Sequence, residues 1–234
     1  MKGIILHGGF GTRLRPFTHT MPKQLLPIAN KPMSLYGLEV LKNAGIKEIA
    51  IIIGGESSYK VRDFYGDGKE FGVNITYIFQ ESPKGISQAI SLCEEFTQNE
   101  KFVVFLGDNI LKQDISDIKN NFEKSKSDAA ILLCEVENPS QFGIAEIDGE
   151  SIKKIVEKPK NPLSNLAVIG VYFLTPKIYD IINRLKPSWR NELEITDALQ
   201  MLLDENGTIK FEIVQVFGKI LVLQKTLLMQ TNQF

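Results

Sequence analysis

The chain has 234 residues, of which 43% are hydrophobic and 24% are charged, and its formal net charge is −1. This length suits one domain with a sizeable core. The near-zero charge argues against a protein that coats nucleic acid, although it leaves room for a local basic site that binds a small anion. No apolar run approaches the roughly 18 residues of a membrane span, and the first one is too short for a signal peptide. We therefore expect a cytoplasmic protein that binds neither nucleic acid nor membranes.

The cysteines and histidines do not form a metal-ligand pattern. Cys93 and Cys134 stand apart without metal-site spacing, so we expect reduced thiols packed in the core. The two histidines, His7 and His19, are too few for a histidine-based metal site.

The first half of the chain alternates strand-like runs with helical patterns. Runs of β-branched and aromatic residues of strand length cover 2–6, 48–53, 74–79 and 101–106. A helix is predicted over 31–45, because Pro32 lies near its start and Gly45 ends it, and a second helix is predicted over 87–96. This alternation indicates βαβ units and a mainly parallel sheet covered on both faces, with ligands beyond the carboxyl ends of its strands.

The second half begins with a pattern typical of antiparallel strands. Strand-like runs cover 129–136, 142–148, 151–158 and 167–174. Helices are predicted over 176–185 and 192–206, and Gly207 follows the second of them. Because the sequence shows no repeat, low-complexity tract or linker, we expect residues 1–234 to form a single domain.

A glycine-rich loop, GGFGTRLRP (8–16), follows the first strand. The loop does not match the dinucleotide-binding pattern G-x-G-x-x-G, because Leu14 occupies the position of the third glycine when the pattern starts at Gly9. It also lacks the Gly-Lys-Ser/Thr that ends a Walker loop. A simple turn is the alternative interpretation. However, glycines let the backbone approach a phosphate, and Arg13 and Lys23 could hold its oxygens.

Much of the chain resembles a known family. The stretch GGFGTRLRPFT with the later PKQLLPI is similar to the signature of sugar-1-phosphate nucleotidyltransferases, G-G-x-G-T-R-L-x-P-x-T followed by P-K-x-L-x-P. The PKQLLPI variant is most similar to glucose-1-phosphate thymidylyltransferases. Matching segments continue in the family's order to about residue 216, among them VVFLGDNI, FGIAEID, IVEKPKNP and NELEITDALQMLL. The resemblance implies a three-layer Rossmann-like α/β fold with a mixed, mainly parallel central sheet and a small antiparallel sugar-binding region.

The resemblance also implies a reaction. In this family the phosphate of a sugar 1-phosphate attacks the α-phosphorus of a nucleoside triphosphate, and pyrophosphate leaves, so catalysis consists of positioning and charge neutralisation. Three residues are implied as catalytic. Arg13 would hold the phosphate tail, Lys23 would offset charge near the α-phosphate, and Asp108 would bind the cofactor Mg²⁺ as a metal ligand.

The same resemblance implies two sets of binding residues. Gln80 would pair with the imide edge of a pyrimidine, which favours dTTP or UTP, and Glu157 and Lys158 would contact the sugar phosphate. Without the resemblance, each of these residues has a simpler interpretation. Gln80 could be a solvated residue at a strand end, and Asp108 could cap a turn. Glu157 and Lys158 could be an ordinary solvated ion pair. The nucleotide-binding set is Leu6, Gly8, Gly9, Gly11, Thr12, Arg13, Gln80, Pro83 and Gly85, and the sugar-phosphate set is Gly143, Glu157, Lys158 and Val168.

Three departures from the family pattern bear on function. His7 stands where the family has alanine, and Phe142 replaces a tyrosine, so we expect changed sugar preference and affinity with the same reaction type. From about Lys219 an apolar tail replaces the family's K-D-T-G-T motif, and Ile220 takes the place of its second metal-binding aspartate. Some codon choices recover that motif when one nucleotide is restored after the Lys219 codon. We therefore infer a single-nucleotide deletion there.

Two functions follow. The first is an active transferase that makes dTDP-glucose or UDP-glucose from a nucleoside triphosphate and glucose 1-phosphate. The alternative, motivated by Ile220, is a catalytically weakened nucleotide-binding or nucleotide-sugar-binding protein, or a regulatory subunit. A homo-oligomer is compatible with both functions.

Overall fold

Strands and helices alternate along the first half of the chain. The computed structural model describes residues 1–7, 15–55, 58–111 and 113–214. The strands are β1 (Lys2–Leu6), β2 (Pro27–Ile28), β3 (Lys31–Pro32), β4 (Glu48–Ile53), β5 (Asn74–Phe79), β6 (Phe102–Leu106), β7 (Ala129–Glu135), β8 (Gly143–Asp148), β9 (Ser151–Glu157), β10 (Leu166–Leu174) and β11 (Ile209–Ile213). The helices are α1 (Met33–Asn43), α2 (Ser58–Tyr65), α3 (Ile86–Ser91), α4 (Glu94–Thr97), α5 (Ser116–Lys124), α6 (Lys177–Ile182) and α7 (Ile195–Asp204).

The central sheet is mixed, as expected. Among the described residues it has nine strands in the order β11-β7-β10-β6-β1-β4-β5, with β8 and β9 attached through β10. β1 runs parallel to β4 and β6, whereas β10 is antiparallel to β6 and β7. The chain moves outward from β1 to β5 and then returns to the other side of β1 for β6. This reversal makes a switch point between β1 and β6, where open α/β sheets bind their ligands.

The central strands β1, β4, β6, β7 and β10 are mostly apolar because helices cover both faces of the sheet. On β1, Ile4 packs in a cluster with residues of α3, α6 and α7, whereas its neighbour Ile5 packs with residues of α1, α2 and α5. Both side chains are fully buried, and each such burial stabilises the fold by about 1.5–3 kcal/mol. The result is the predicted three-layer arrangement.

Two predicted helices show where local signals succeed and fail. The prediction over 31–45 is confirmed, since α1 starts after Pro32, and Gly45, at φ 79°, follows its end. The prediction of one helix over 87–96 is wrong, because the chain there forms α3 and α4. Between them Cys93 donates its backbone N–H to the Ile90 carbonyl oxygen in a tight turn.

The predicted antiparallel region is confirmed as a hairpin of β8 and β9. Asp148 pairs with Ser151 across its turn, and Gly149 has the positive φ of 57° that the turn requires. The Ile155 N–H donates to the Gln200 side-chain oxygen of α7 at 2.7 Å. The hairpin is thereby attached to α7, which determines where the end of β9 lies.

Both cysteines are free and buried, as expected. Burial raises the pKa of the Cys93 thiol well above its usual range. Within the described ranges, no helix is long and apolar enough to cross a membrane.

The contact between Gly37 of α1 and Phe105 of β6 gives a test of the packing. A Cβ on Gly37 would lie 2.7 Å from Phe105 Cδ1. Gly37→Ala therefore gains about 1 kcal/mol of helix propensity but incurs an overpacking cost of about 1–3 kcal/mol. We expect the free energy of unfolding in urea to fall by about 1 kcal/mol. In a Phe105→Leu background the same substitution should be neutral or stabilising, and an equal loss in both backgrounds would contradict the contact.

Candidate active site

Three polar side chains stand beyond the carboxyl ends of parallel strands. His7 directly follows β1, Gln80 directly follows β5, and Asp108 follows β6 after Gly107. Leu6, at the end of β1, is in register with the last residue of β6. Because β1, β4, β5 and β6 are parallel, the three side chains lie along one edge of the sheet.

Lys23 and Asp108 form an ion pair at this edge. Lys23 Nζ donates to Asp108 Oδ2, and the two side chains are 19% and 38% exposed. Lys23 opens a short 3₁₀ turn after Pro22, which the Leu26 N–H closes on the Lys23 carbonyl oxygen. The structure thus brings together two of the predicted catalytic residues, and the pair remains partly open to solvent.

His7 is buried behind this edge. Its side chain is 5% exposed, and burial lowers its pKa to about 3, although the charge of Asp108 acts in the opposite direction. Neither ring nitrogen has a hydrogen-bond partner in the part of the chain that the structure describes. The imidazole is therefore neutral at pH 7, and it supplies no positive charge to the site.

The residues predicted to read the base lie around the end of β5 and the start of α3. Gln80 is 5% exposed, and its Nε2 donates to Gln88 Oε1 at 2.6 Å. Gly85 has φ 105°, and a Cβ there would lie 2.4 Å from the Leu193 carbonyl oxygen. Sequence reasoning explained this glycine by approach to a base. The structure adds a packing reason, contact with the backbone of Leu193, while Pro83 is exposed.

Glu157, at the end of β9, is the centre of a second polar cluster. Thr196 Oγ1 donates to Glu157 Oε2 at 3.0 Å, and Lys158 Nζ and Arg190 Nη1 lie 3.2 and 3.4 Å from Oε1. Gly143 pairs with Glu157 across the hairpin, and a Cβ on it would lie 2.4 Å from Thr196 Cγ2. The structure thus brings together the predicted residues Gly143, Glu157 and Lys158.

The other predicted sugar-site and strand residues lie mainly in the core. Leu6 and Val168 are 6% and 8% exposed and belong to the same apolar cluster. Lys158 has an unusual positive φ of 42°, and its N–H donates to the Phe142 carbonyl oxygen at 2.9 Å. The backbone around Lys158 is therefore held in a specific turn.

Strand β10 connects the two groups of charges, because it pairs with β6, which Asp108 follows, and with β8, the partner of the strand that ends at Glu157. On β10, burial raises the pKa of the Tyr172 phenol above the usual range, and the charges of Glu157 and Asp108 raise it further. Both carboxylates therefore act on one buried side chain of β10. The Lys23–Asp108 pair and the Glu157 cluster belong to one continuous region.

Sequence reasoning missed the residues that support this region, namely Arg190, Thr196 and Gln88. The signal that could have found Thr196 is its place in the family-like segment NELEITDALQMLL, to which no site residue was assigned. The predicted residues Gly8, Gly9, Gly11, Thr12 and Arg13, together with Ile220, lie outside the described residues.

The described residues include no group of three or more His, Cys, Asp or Glu side chains that could hold a metal ion. Asp108 therefore offers a single carboxylate. Mg²⁺ is commonly held by one or two carboxylates together with substrate phosphates and water. A partly exposed carboxylate at a strand end fits that way of binding.

Comparisons with known proteins show which family the chain resembles. The chain is 48% identical to the low-salt glycan biosynthesis nucleotidyltransferase Agl11 of Haloferax volcanii, over 94% of this chain and 62% of that relative. It is 43% identical to a glucose-1-phosphate thymidylyltransferase of Streptomyces antibioticus, again over 94% of this chain and 62% of the relative. A crystal structure of a Bacillus anthracis protein assigned as a glucose-1-phosphate thymidylyltransferase, in complex with a sucrose, superposes with a TM-score of 0.87. That protein is 43% identical, and the match covers 93% of this chain and 88% of that one.

The chain spans 62% of the length of these two curated relatives. The family model described as nucleotidyl transferase matches residues 2–214, a range that includes every strand from β1 to β11. The chain therefore belongs to the nucleotidyl transferase family.

Proposed function

We propose that this chain transfers a nucleotidyl group from dTTP, or from UTP, to glucose 1-phosphate, giving dTDP-glucose or UDP-glucose and pyrophosphate. The observation that carries the proposal is that the Lys23–Asp108 pair and the Glu157 cluster lie at the ends of strands that are joined through β10. Such an arrangement suits a triphosphate at one end and a sugar phosphate at the other. The name of the Streptomyces antibioticus relative supports the choice of substrates.

The proposed reaction needs no nucleophile from the protein. A phosphate oxygen of glucose 1-phosphate forms a bond to the α-phosphorus, the bond from that phosphorus to the α–β bridging oxygen breaks, and pyrophosphate leaves with the electron pair. The protein must hold two anions close together and neutralise their charge. Cationic side chains at the two ends of the site serve this need.

Lys23 is the proposed cation at the α-phosphorus. Its side chain is largely buried, so its charge acts more strongly on a nearby phosphate than it would in bulk water. In the unliganded chain Asp108 balances this charge, and a phosphate would take over that role. Arg13 would hold the triphosphate tail, and Gly8, Gly9, Gly11 and Thr12 would add backbone contacts.

Asp108 is the proposed ligand for Mg²⁺. When bound, the ion would neutralise negative charge on the triphosphate oxygens. Asp108 accepts its hydrogen bond from Lys23 through Oδ2. The Lys23 ammonium must therefore share or release this carboxylate when the ion is present.

The Glu157 cluster is the proposed sugar-phosphate site. The two oxygens of Glu157 each accept a hydrogen bond, Oε2 from Thr196 and Oε1 from Arg190, and acceptors of this kind suit sugar hydroxyls. Lys158 and Arg190, each paired with Glu157 Oε1, would contact the phosphate, and Gly143 and Val168 would line the pocket. This assignment adds Arg190 and Thr196 to the residues expected from the sequence.

The base would lie against Gln80, Pro83, Gly85 and Leu6. dTTP and UTP share the imide edge that an amide can pair with, so both belong to the proposal. We also propose that the protein acts in the cytoplasm. The transferase names of the relatives favour a transferase over a weakened binding protein.

The direct test is pyrophosphate release by the purified chain with glucose 1-phosphate, Mg²⁺ and each nucleoside triphosphate in turn. We expect turnover with dTTP or UTP and little turnover with ATP or GTP. Omitting Mg²⁺ or glucose 1-phosphate should abolish release. Binding of dTTP without pyrophosphate release would instead support the weakened binding protein.

Lys23→Met tests the proposed cation. Because the transition state would lose its nearest buried positive charge, we expect kcat to fall by about 10²–10³-fold. A matched control is Lys69→Met, which removes a lysine from an exposed Lys–Asp pair, that of Lys69 with Asp67. The control should keep wild-type kcat. A Lys23→Met enzyme with wild-type kcat would refute the role of Lys23.

Thr196→Val tests the support of Glu157. The substitution keeps the shape of the side chain but removes the hydroxyl that donates to Glu157 Oε2. We expect the KM for glucose 1-phosphate to rise by about tenfold, the effect of about 1.4 kcal/mol, while the KM for the nucleotide stays unchanged. The control is Thr175→Val, since the Thr175 hydroxyl donates to the Asp128 carbonyl oxygen instead. An equal rise in both KM values would show a general structural effect.

A further inference from the structure

The Gln80 side chain has a defined orientation because of one hydrogen bond. Its Nε2 donates to Gln88 Oε1 at 2.6 Å, and among the described residues no other partner is bonded to the Gln80 amide. The Gln80 side chain is 5% exposed. One N–H of this amide therefore points toward α3, and its Oε1 and second N–H remain for another group.

The backbone of Gln80 is also fixed. Its N–H donates to the Ile53 carbonyl oxygen at 2.8 Å, and a Cβ on Gly54 would lie 2.6 Å from the Gln80 carbonyl oxygen. The main chain is thus bonded to Ile53 and packed closely on Gly54, and burial of the side chain restricts its rotamers. Exchange of the amide oxygen and nitrogen is the rotation that matters, because it exchanges an acceptor and a donor.

Gln88 is itself held in place by the other side of the site. In α3 the preceding residue, Ser87, donates its N–H to the Leu193 carbonyl oxygen at 3.1 Å and its hydroxyl to the Glu194 carbonyl oxygen at 3.0 Å. The Ser91 hydroxyl donates to the Gln88 carbonyl oxygen at 2.8 Å. The acceptor that faces Gln80 is therefore attached to the segment that carries Arg190 and Thr196.

The orientation of an amide separates the pyrimidine bases. Thymine and uracil present an N3–H donor, whereas cytosine presents N3 as an acceptor beside an amino donor. An amide oxygen facing N3 accepts from thymine or uracil but meets a lone pair on cytosine. An amide N–H in the same place would favour cytosine. With Nε2 bonded to Gln88, Oε1 is the acceptor that this amide can turn toward N3, and the second N–H lies on the same nitrogen as the bond to Gln88.

We propose that Gln88 is a positioning residue that sets nucleotide specificity: by accepting from Gln80 Nε2 it holds Gln80 Oε1 toward the base, which selects thymine and uracil against cytosine. The inference rests on the proposed function, since it takes Gln80 as the group that reads the base. It adds a residue outside the predicted site and a physical reason why the oxygen of the Gln80 amide, and not its nitrogen, faces the base.

The test is the ratio of kcat/KM for dTTP to kcat/KM for dCTP at saturating glucose 1-phosphate. Gln88→Met removes the acceptor, so the Gln80 amide can turn, and we expect the ratio to fall by about tenfold, mainly through a rise for dCTP. Gln88→Lys presents only donors and should lower the ratio at least as far. Gln88→Glu keeps an acceptor and should keep the ratio within about threefold of the wild type.

The matched control is Gln98→Met, at an exposed glutamine that accepts from Lys2 Nζ. A purely structural effect of Gln88→Met would lower both kcat/KM values together and leave their ratio unchanged. Folded Gln88→Met and Gln88→Lys variants that keep the wild-type ratio would overturn the proposal. If thermal melting shows that only one of these two variants folds, the dTTP-to-dCTP ratio of kcat/KM for that variant decides whether the proposal stands.

Failure of the proposed function gives a different result. If the wild type releases no pyrophosphate but binds dTDP more tightly than dCDP in calorimetry, the transferase proposal fails, and the same variants are compared by the ratio of dissociation constants. A fall in that ratio for Gln88→Met supports the role of Gln88. Equal wild-type affinity for dTDP and dCDP, or binding of neither, overturns it.

Discussion

The parallel register of β1 with β4 and β6 is the constraint on which the site depends. Leu6 is opposite Ile52 on one side and opposite Leu106 on the other, so the segments after these strands emerge at one edge. The chain crosses from β5 to β6 over β4 and β1, which makes a switch point beyond the ends of β1 and β6. A shift of one residue would exchange Ile4 and Ile5 between the two apolar clusters. The core therefore fixes the register, and the register fixes the position of Asp108.

Charge balance explains why the site is formed before any ligand binds. Partly buried carboxylates lose hydration and need partners in the protein to replace it. Asp108 is paired with Lys23. Glu157 is paired with Lys158, Arg190 and Thr196. The same cations are the groups that suit phosphates, so ligand binding would exchange one set of anions for another. Such an exchange needs less rearrangement than building a site from solvated side chains.

The strands were predictable from the sequence, and so were the candidate residues at their ends, but the contacts that support these residues were not. The apolar runs at 2–6 and 48–53 match β1 and β4 because helices bury both faces of the sheet there, and the run at 74–79 matches the less buried edge strand β5. Thr196 was not predictable in this way, since its hydroxyl meets Glu157 from 39 residues away, through packing of α7 on the hairpin. The break between α3 and α4, within the helix predicted over 87–96, was also not predictable, because the turn at Cys93 contains no glycine or proline.

His7 shows how a bulky residue is accommodated beside a charged site. A Cβ on Gly107 would lie 2.8 Å from the Leu6 carbonyl oxygen as well as 2.8 Å from His7 Cδ2. The backbone of β1 therefore leaves no room for a side chain at position 107. The His7 imidazole lies beside the Cα of this glycine. Burial keeps the ring neutral, with a pKa of about 3, so a histidine at this position adds volume beside the ion pair of Lys23 and Asp108 without adding charge.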